Sequence, residues 1–285
     1  MNNINIFNFR AYVLTTVLLF IVAAGILLNS SAAVADVIRI GGTGSALGTA
    51  RILASAFEKK YPDIRVKVLP SIGSSGAINA VSQGALEIGL ISRQLKNWEV
   101  NLGLRVTEFS RTPFVLVAQR NVSVSSLRHE DLVKIYKGEE NYWPDGERIR
   151  IVLRPAADAD TIIARSISFE MSAAIDRALS REGMLIALTN QENMEIIEKT
   201  PGALGFSSLA HILTECRTPK ILSYNGVFPS RKNLLNGTYP LSLKHSFVTK
   251  PHLSRSLQYF IDFVHSRRGM EILEKSGCIP IKGKE

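Results

Sequence analysis

The sequence predicts an α/β fold, a mostly parallel sheet flanked by helices with a small-anion site at the strand ends. Three observations carry this. A short apolar strand, Ile38-Arg39-Ile40, runs into Gly41-Gly42-Thr43-Gly44-Ser45-Ala46-Leu47-Gly48 and then into a helix. The succession of strand, polar turn and helix recurs over residues 64–83 and again over residues 149–179. Strands alternating with helices argue for parallel pairing, and ligands in such sheets gather beyond the carboxyl ends of the strands, where these polar turns lie.

The first helix continues over residues 50–61, with Ile52, Leu53, Ala56 and Phe57 as its apolar stripe. Its first N–H groups have no partner within the helix, and the helix dipole adds positive charge there, so the turn attracts anions. Thr43 and Ser45 add hydroxyl donors beside Gly44. Residues 64–69 alternate apolar and basic, which predicts a second strand ending at Pro70-Ser71-Ile72-Gly73-Ser74-Ser75-Gly76. A helix follows over residues 77–83; Ser74 and Ser75 suit both capping it and anion binding, since both use the same orphan N–H groups. Residues 87–91 form a third strand, ending in Ser92-Arg93. Residues 112–118, Thr-Pro-Phe-Val-Leu-Val-Ala, are the strongest strand in the chain.

Beyond it the pattern restarts, as a second domain would. Residues 127–136 predict a helix and residues 149–153 a strand ending at Arg154-Pro155-Ala156-Ala157-Asp158-Ala159-Asp160-Thr161. A single helix over residues 162–179 follows, capped by Asp158 or Asp160. Further elements are a helix at 192–199, a turn and strand at 200–206, a segment at 221–227, a strand at 241–249, and helices at 254–267 and 269–275. Leu257, Phe260, Ile261 and Val264 mark the core face of the first of these terminal helices.

With 285 residues, 46% hydrophobic and 21% charged, the chain suits one large or two medium domains. The net charge is +9, but no Lys/Arg run with interleaved aromatics occurs, which argues against a nucleic-acid partner. Residues 1–35 read as a signal peptide. Arg10 is their only charge, an apolar run spans Ala11–Leu28, and Ala33-Val34-Ala35 makes a small-x-small cleavage signal before Asp36. The run is also just long enough to span a bilayer, so an uncleaved anchor is the alternative. Cys216 and Cys278 make no disulfide framework and no metal-ligand spacing; two free, buried thiols are expected.

Enzymatic readings lack parts. Gly42-x-Gly44 with Gly48 is a poor dinucleotide fingerprint, and the second strand ends in Pro70-Ser71 instead of an acid for a ribose. There is no Gly-Lys-Ser/Thr phosphate loop and no G-x-S-x-G elbow. His129, His211, His245, His252 and His265 are scattered, mostly on predicted helix surfaces. What remains is a set of small hydroxyls, helix starts and two arginines, Arg93 and Arg154, each directly after a strand. Arginine's planar fork suits bidentate oxyanion capture.

The motifs Gly42-Thr43-Gly44-Ser45-Ala46-Leu47, Gly73-Ser74-Ser75-Gly76 and Glu87-Ile88-Gly89-Leu90-Ile91-Ser92-Arg93 resemble, in this order, the phosphate-binding proteins of bacterial ABC uptake systems. The likeness continues through residues 200–206, 236–241, 260–264 and 277–281 and covers nearly all of the chain beyond residue 35. It implies a two-lobed, type II periplasmic binding protein, each lobe a mixed, mostly parallel sheet, with ligand in the cleft between lobes that close by hinge motion. One lobe would comprise residues 36–118 plus 244–285 and the other residues 119–243. Carried over to this chain, the Gly44-Ser45 turn and Ser74 would donate to the anion, Arg154 would be its charged ligand, and Thr161 the hydroxyl at the next helix start.

Two departures bear on ligand choice. The best-known members place an aspartate after the third strand to accept the proton of hydrogen phosphate, where this chain has Ser92-Arg93. They also carry Arg-x-x-x-Ser-Gly-Thr, where this chain has Arg154 followed by Asp158-Ala159-Asp160-Thr161. Asp158 or Asp160 is then the candidate proton acceptor. The expectation is a monomeric periplasmic protein without cofactor or catalytic activity, delivering phosphate or a related oxyanion to an ABC permease. The alternative is a periplasmic sensory module that reports anion binding to a membrane partner.

Overall fold

The computed structural model describes residues 36–283. The expected signal peptide or anchor lies outside the described residues. Among the described residues no helix is long and apolar enough to cross a membrane.

The strands join in the order β2 (Ile64–Ser71), β1 (Asp36–Gly42), β3 (Ile88–Ile91), β10 (Ser242–Thr249), β4 (Arg105–Ala118), β8 (Ala203–Ser208), β6 (Arg150–Leu153) and β7 (Leu185–Ile186). Three short strands lie off this path: β11 (Ile279–Pro280) and β9 (Lys220–Tyr224) pair with β4, and β5 (Ser126–Leu127) with β9. β1 and β3 are parallel, as are β8, β6 and β7, while β10 and β4 run antiparallel to their neighbours.

β4 shapes the molecule. Its first part, Arg105–Pro113, pairs with β10, and its last part, Phe114–Ala118, pairs with β8 and β9. One strand therefore serves both lobes. The sequence predicts its start at Thr112; residues 105–111 are mostly polar with no regular period, and only Phe109 and Ser110 among them are buried, so nothing marks them as strand. Beyond Pro113 the run is buried on both faces. Phe114, Leu116 and Ala118 enter a core with Leu132, Tyr136, Ile175, Phe206 and Leu222, whereas Val115 and Val117 meet Val152, Met194 and Ile197. A strand covered on both faces reads as an unbroken apolar run, which is why this part was legible. The chain returns beside it, with Phe114 N–H donating to Leu241 O at 3.0 Å and Tyr239 Oη donating to Phe114 O at 2.7 Å.

The helices are α1 (Gly44–Lys60), α2 (Gly73–Ser82), α3 (Asn97–Val100), α4 (His129–Lys137), α5 (Ala159–Arg165), α6 (Phe169–Leu179), α7 (Asn190–Lys199), α8 (Leu209–Thr214), α9 (Arg231–Leu235), α10 (Arg255–His265) and α11 (Arg267–Lys275). The first lobe's core gathers Ile38, Ile40, Leu47, Leu53 and Phe57 with Phe247, Phe260, Phe263 and Leu273. Ala210 of α8 joins this core, while Leu209 and Ile212 join the other lobe's, so α8 sits at the junction.

Several local expectations are corrected. The helix expected over residues 162–179 is two, α5 and α6, because the Ser168 hydroxyl accepts from Met171 N–H at 3.0 Å and starts a new helix. α2 begins at Gly73, so Ser74 and Ser75 lie in its first turn and do not cap it. On α1 the core face runs through Leu47, Ala50, Leu53 and Phe57, and Ile52 is 43% exposed. Cys216 is exposed, its backbone turned to φ 51° just after α8, while Cys278 is buried as expected; both are free. His211 and His245 are buried, not surface residues.

Gly42 is the joint between sheet and site. Its φ is +147°, and a Cβ there would lie 2.1 Å from Leu90 O. Its carbonyl accepts from Ile72 N–H and Ser71 Oγ, tying the ends of β1 and β2. Gly42→Ala is expected to cost about 1–3 kcal/mol and to lower Tm by several degrees in a thermal melt.

Candidate functional site

The ends of β1, β2 and β3 deliver three polar turns to one place. α1 starts inside the protein: Gly44, Ser45, Ala46 and Leu47 are all buried, and no side chain caps it. The N–H groups of Gly44 and Ser45 therefore have no acceptor in the helix and none from a cap. α2 likewise starts without a side-chain cap. The hydroxyls form a chain. Thr43 Oγ1 and Ser45 Oγ share a hydrogen bond at 3.1 Å, Ser45 Oγ and Ser92 Oγ another at 3.1 Å, and Ser92 N–H donates to Ser74 Oγ at 3.2 Å. All four residues are buried.

Arg93 lies beside this chain, with both terminal nitrogens engaged and its buried Nε without a partner. Its guanidinium makes a two-pronged ion pair with Glu99, both contacts 2.7 Å, and also donates to Ser75 Oγ at 2.7 Å and Gln94 O at 2.8 Å. Both side chains are buried, with 3% and 0% exposure. The hydrogen bonds from Arg93 hold the Glu99 carboxyl below its usual range. Arg93 therefore arrives already neutralised and acts as a strut that fixes Ser75 and the end of β3. Glu99 was not found in the sequence: it lies on the one-turn helix α3, in a segment with no periodicity to flag a buried acid.

The opposite lobe supplies the end of β6. Arg154 is 6% exposed; it donates to Ala187 O at 2.6 Å and Asp158 Oδ2 at 2.8 Å, and its Nε, buried, has no partner. Asp158 is the N-cap of α5, with Oδ1 accepting from Asp160 N–H at 3.0 Å, so its two oxygens are committed. Asp160 is 2% exposed and accepts from Asn190 Nδ2 at 2.7 Å. Burial, reinforced by the neighbouring Asp158 charge, pushes its carboxyl up to about 7, against the pull of Arg154 and Asn190. Thr161 Oγ1 donates to Arg154 O at 3.1 Å, locking the turn.

Parts of the two sets face each other, while Arg154, Asp160 and Thr161 line a smaller pocket with Tyr136 and Phe206. A cleft of about 340 Å³ is lined by Ser74 and Ser75 on one side and by Pro155, Asp158 and Ala159 on the other. Gly44 meets the opposite lobe so closely that a Cβ would lie 2.8 Å from Asn190 Oδ1. Asn190 thus joins Gly44 to Asp160, a bridge that sequence analysis missed because an asparagine at a helix start reads as ordinary capping chemistry. Gly76 does not line the cleft itself but packs behind Ile72, which does. No cluster of His, Cys, Asp and Glu able to hold a metal occurs among the described residues.

Residues 29–268 match the PBP superfamily domain, and the chain belongs to that family. It is 24% identical over 218 residues to the phosphate-binding protein PstS of Borreliella burgdorferi, covering 74% of this chain and 78% of that one. It is 26% identical over 250 residues to PstS of Bacillus subtilis, covering 84% and 79%. Among solved structures, a Clostridium perfringens protein described as a phosphate ABC transporter substrate-binding protein, with phosphate bound, superposes with a TM-score of 0.76. That alignment has 25% identity and covers 87% of this chain and 100% of the other. A phosphate transport receptor of Vibrio cholerae gives a TM-score of 0.62 at 21% identity, covering 85% and 99%.

Removing the charge of Glu99 leaves Arg93 buried and unbalanced, so Glu99→Gln is expected to cost about 3–5 kcal/mol in denaturant unfolding at pH 7. Folding lowers the Glu99 carboxyl, so its contribution is complete above the unfolded value of 4.5 and is lost as pH falls below it. The gap between wild type and variant should therefore narrow in acid.

Proposed function

We infer that this chain is an exported solute-binding protein that captures phosphate in the cleft between its lobes and presents it to an ABC importer. The observation that carries the reading is a set of unsatisfied donors at the strand ends: the N–H groups of Gly44 and Ser45 in one lobe and the buried Arg154 Nε in the other, where Ser74 and Asp158 face each other across the cleft. Such donors without acceptors are costly in a dry interior, and an oxyanion supplies the acceptors. The relatives in whose names phosphate appears, and the C. perfringens structure with phosphate bound, agree with this reading. Binding and release need no nucleophile or metal, and no catalytic step is proposed.

In this reading Thr43, Gly44, Ser45, Ser74 and Ser92 hold the anion from one lobe and Arg154 from the other, with Arg93, Ser75 and Asp158 fixing their positions and the Thr161 hydroxyl committed to Arg154 O. The segments at Pro113–Phe114 and Leu241–Ser242 are the hinge about which residues 119–243 close on the remainder.

Asp160 supplies the choice among oxyanions. Its carboxyl titrates near neutrality, so it shares a proton with hydrogen phosphate. Sulfate brings no proton, and its binding requires Asp160 to take one up; sulfate affinity then falls as pH rises through 7. Asp158 does not fill this role, being committed to Arg154 and the helix cap.

Calorimetry should give one phosphate per chain at micromolar affinity or tighter. Arg154→Ala should weaken it about 10- to 100-fold; unchanged affinity would contradict the assignment. Asp160→Asn should reduce the preference for phosphate over sulfate by about tenfold and remove the pH dependence of sulfate binding.

A further inference from the structure

A second and larger pocket lies near the cleft, sharing no lining residue with it. On the side of the crossing strands a chamber of about 700 Å³ begins at Ser92 and Arg93 and is closed by α5 of the other lobe and by β10. Orthophosphate occupies the space of about two or three waters, roughly 75 Å³. The chamber is therefore far larger than the proposed cargo, and it opens from Ser92, whose hydroxyl is bonded to Ser45.

Its lining is chemically mixed. Ile162 and Ser166 face it from α5, while Lys244 and Ser246 reach it from alternate positions of β10, and Lys96 flanks it near Ser92. The charges are unevenly matched. Arg93 is neutralised by Glu99. Glu108 is held by Arg111, leaving Lys244 a long 3.9 Å contact with it. Lys96 makes no ion-pair contact among the described residues, although its charge acts on the nearby Glu99. Two ammonium groups thus border a hydroxyl-rich chamber with an aliphatic wall. Water alone needs no such pairing, and a second anionic group would complement it.

We propose that the cleft also takes short phosphomonoesters bearing a second anionic group. The phosphoryl group sits among the hydroxyls and Arg154, and the tail runs past Ser92 into the chamber to meet Lys96 and Lys244. The inference rests on the reading of the cleft as a phosphate site. It adds that the site is open behind the phosphoryl group, so the fourth oxygen can carry a substituent. The carbon chain packs on Ile162, and its terminal carboxylate lies between the two lysines.

The test uses the mature chain in calorimetry with three probes: inorganic phosphate, phosphoglycolate, and methyl phosphate as an ester without the second charge. Phosphoglycolate is expected to bind at one per chain and to displace inorganic phosphate, and to bind more tightly than methyl phosphate. Lys96→Ala combined with Lys244→Ala should weaken phosphoglycolate about tenfold while shifting inorganic phosphate by less than about threefold. Both lysines are exposed, so the double variant is expected to fold, and its thermal melt checks this. If inorganic phosphate binds and phosphoglycolate fails to displace it, the chamber proposal is overturned and the phosphate reading stands. The same holds if the double variant weakens both ligands alike. If neither ligand binds, the reading of the cleft itself fails.

Discussion

A helix that starts inside a protein carries N–H groups that neither the helix nor water can satisfy. In this chain that constraint is met head-on at α1, whose first turn is buried and uncapped. The surrounding structure is organised to bring the turn there. Gly42, at a φ only glycine adopts easily, lets β1 break sharply against Leu90, and the hydroxyl chain from Thr43 to Ser74 continues the row of polar groups along the sheet edge. The opposite lobe adds a guanidinium with one N–H to spare. In the proposed reading the two lobes complete one donor set between them.

Two arginines after two strands look equivalent and are electrostatically different. Arg93 is matched by a buried carboxylate with two-pronged geometry and contributes position. Arg154 shares a single oxygen of Asp158, whose other oxygen serves the helix; the buried Nε of each arginine has no partner. In the proposed reading Arg93 holds the site in shape and Arg154 meets the anion. Asp160 stands between these extremes: buried, close to another carboxylate, and poised near neutral pH.

Much of this was legible in the residues. Gly42 through Ser45, Ser92 and Arg154 were visible because each follows a short, mainly apolar strand, and Ser74 because it follows a strand of alternating apolar and basic residues; strand ends in parallel sheets are where ligands collect. What was not legible depended on contacts distant in sequence. Glu99 is identified by the guanidinium it meets, and no pattern in residues 94–104 marks it. Asn190 reads as a helix start until Gly44 is found against it. The break at Ser168 turned on a local contest between a cap and a continuous helix, which apolar spacing does not decide. The exposure of Cys216 follows from a left-handed turn that an ordinary cysteine gives no reason to expect.

The most direct test is a crystal structure of the chain with inorganic phosphate. The account predicts a single anion between the start of α1 and the end of β6, within hydrogen-bond distance of Ser45, Asp160 and the Nε of Arg154. An anion seated elsewhere, with Arg154 Nε still unpartnered and the two lobes no closer around it, would contradict it.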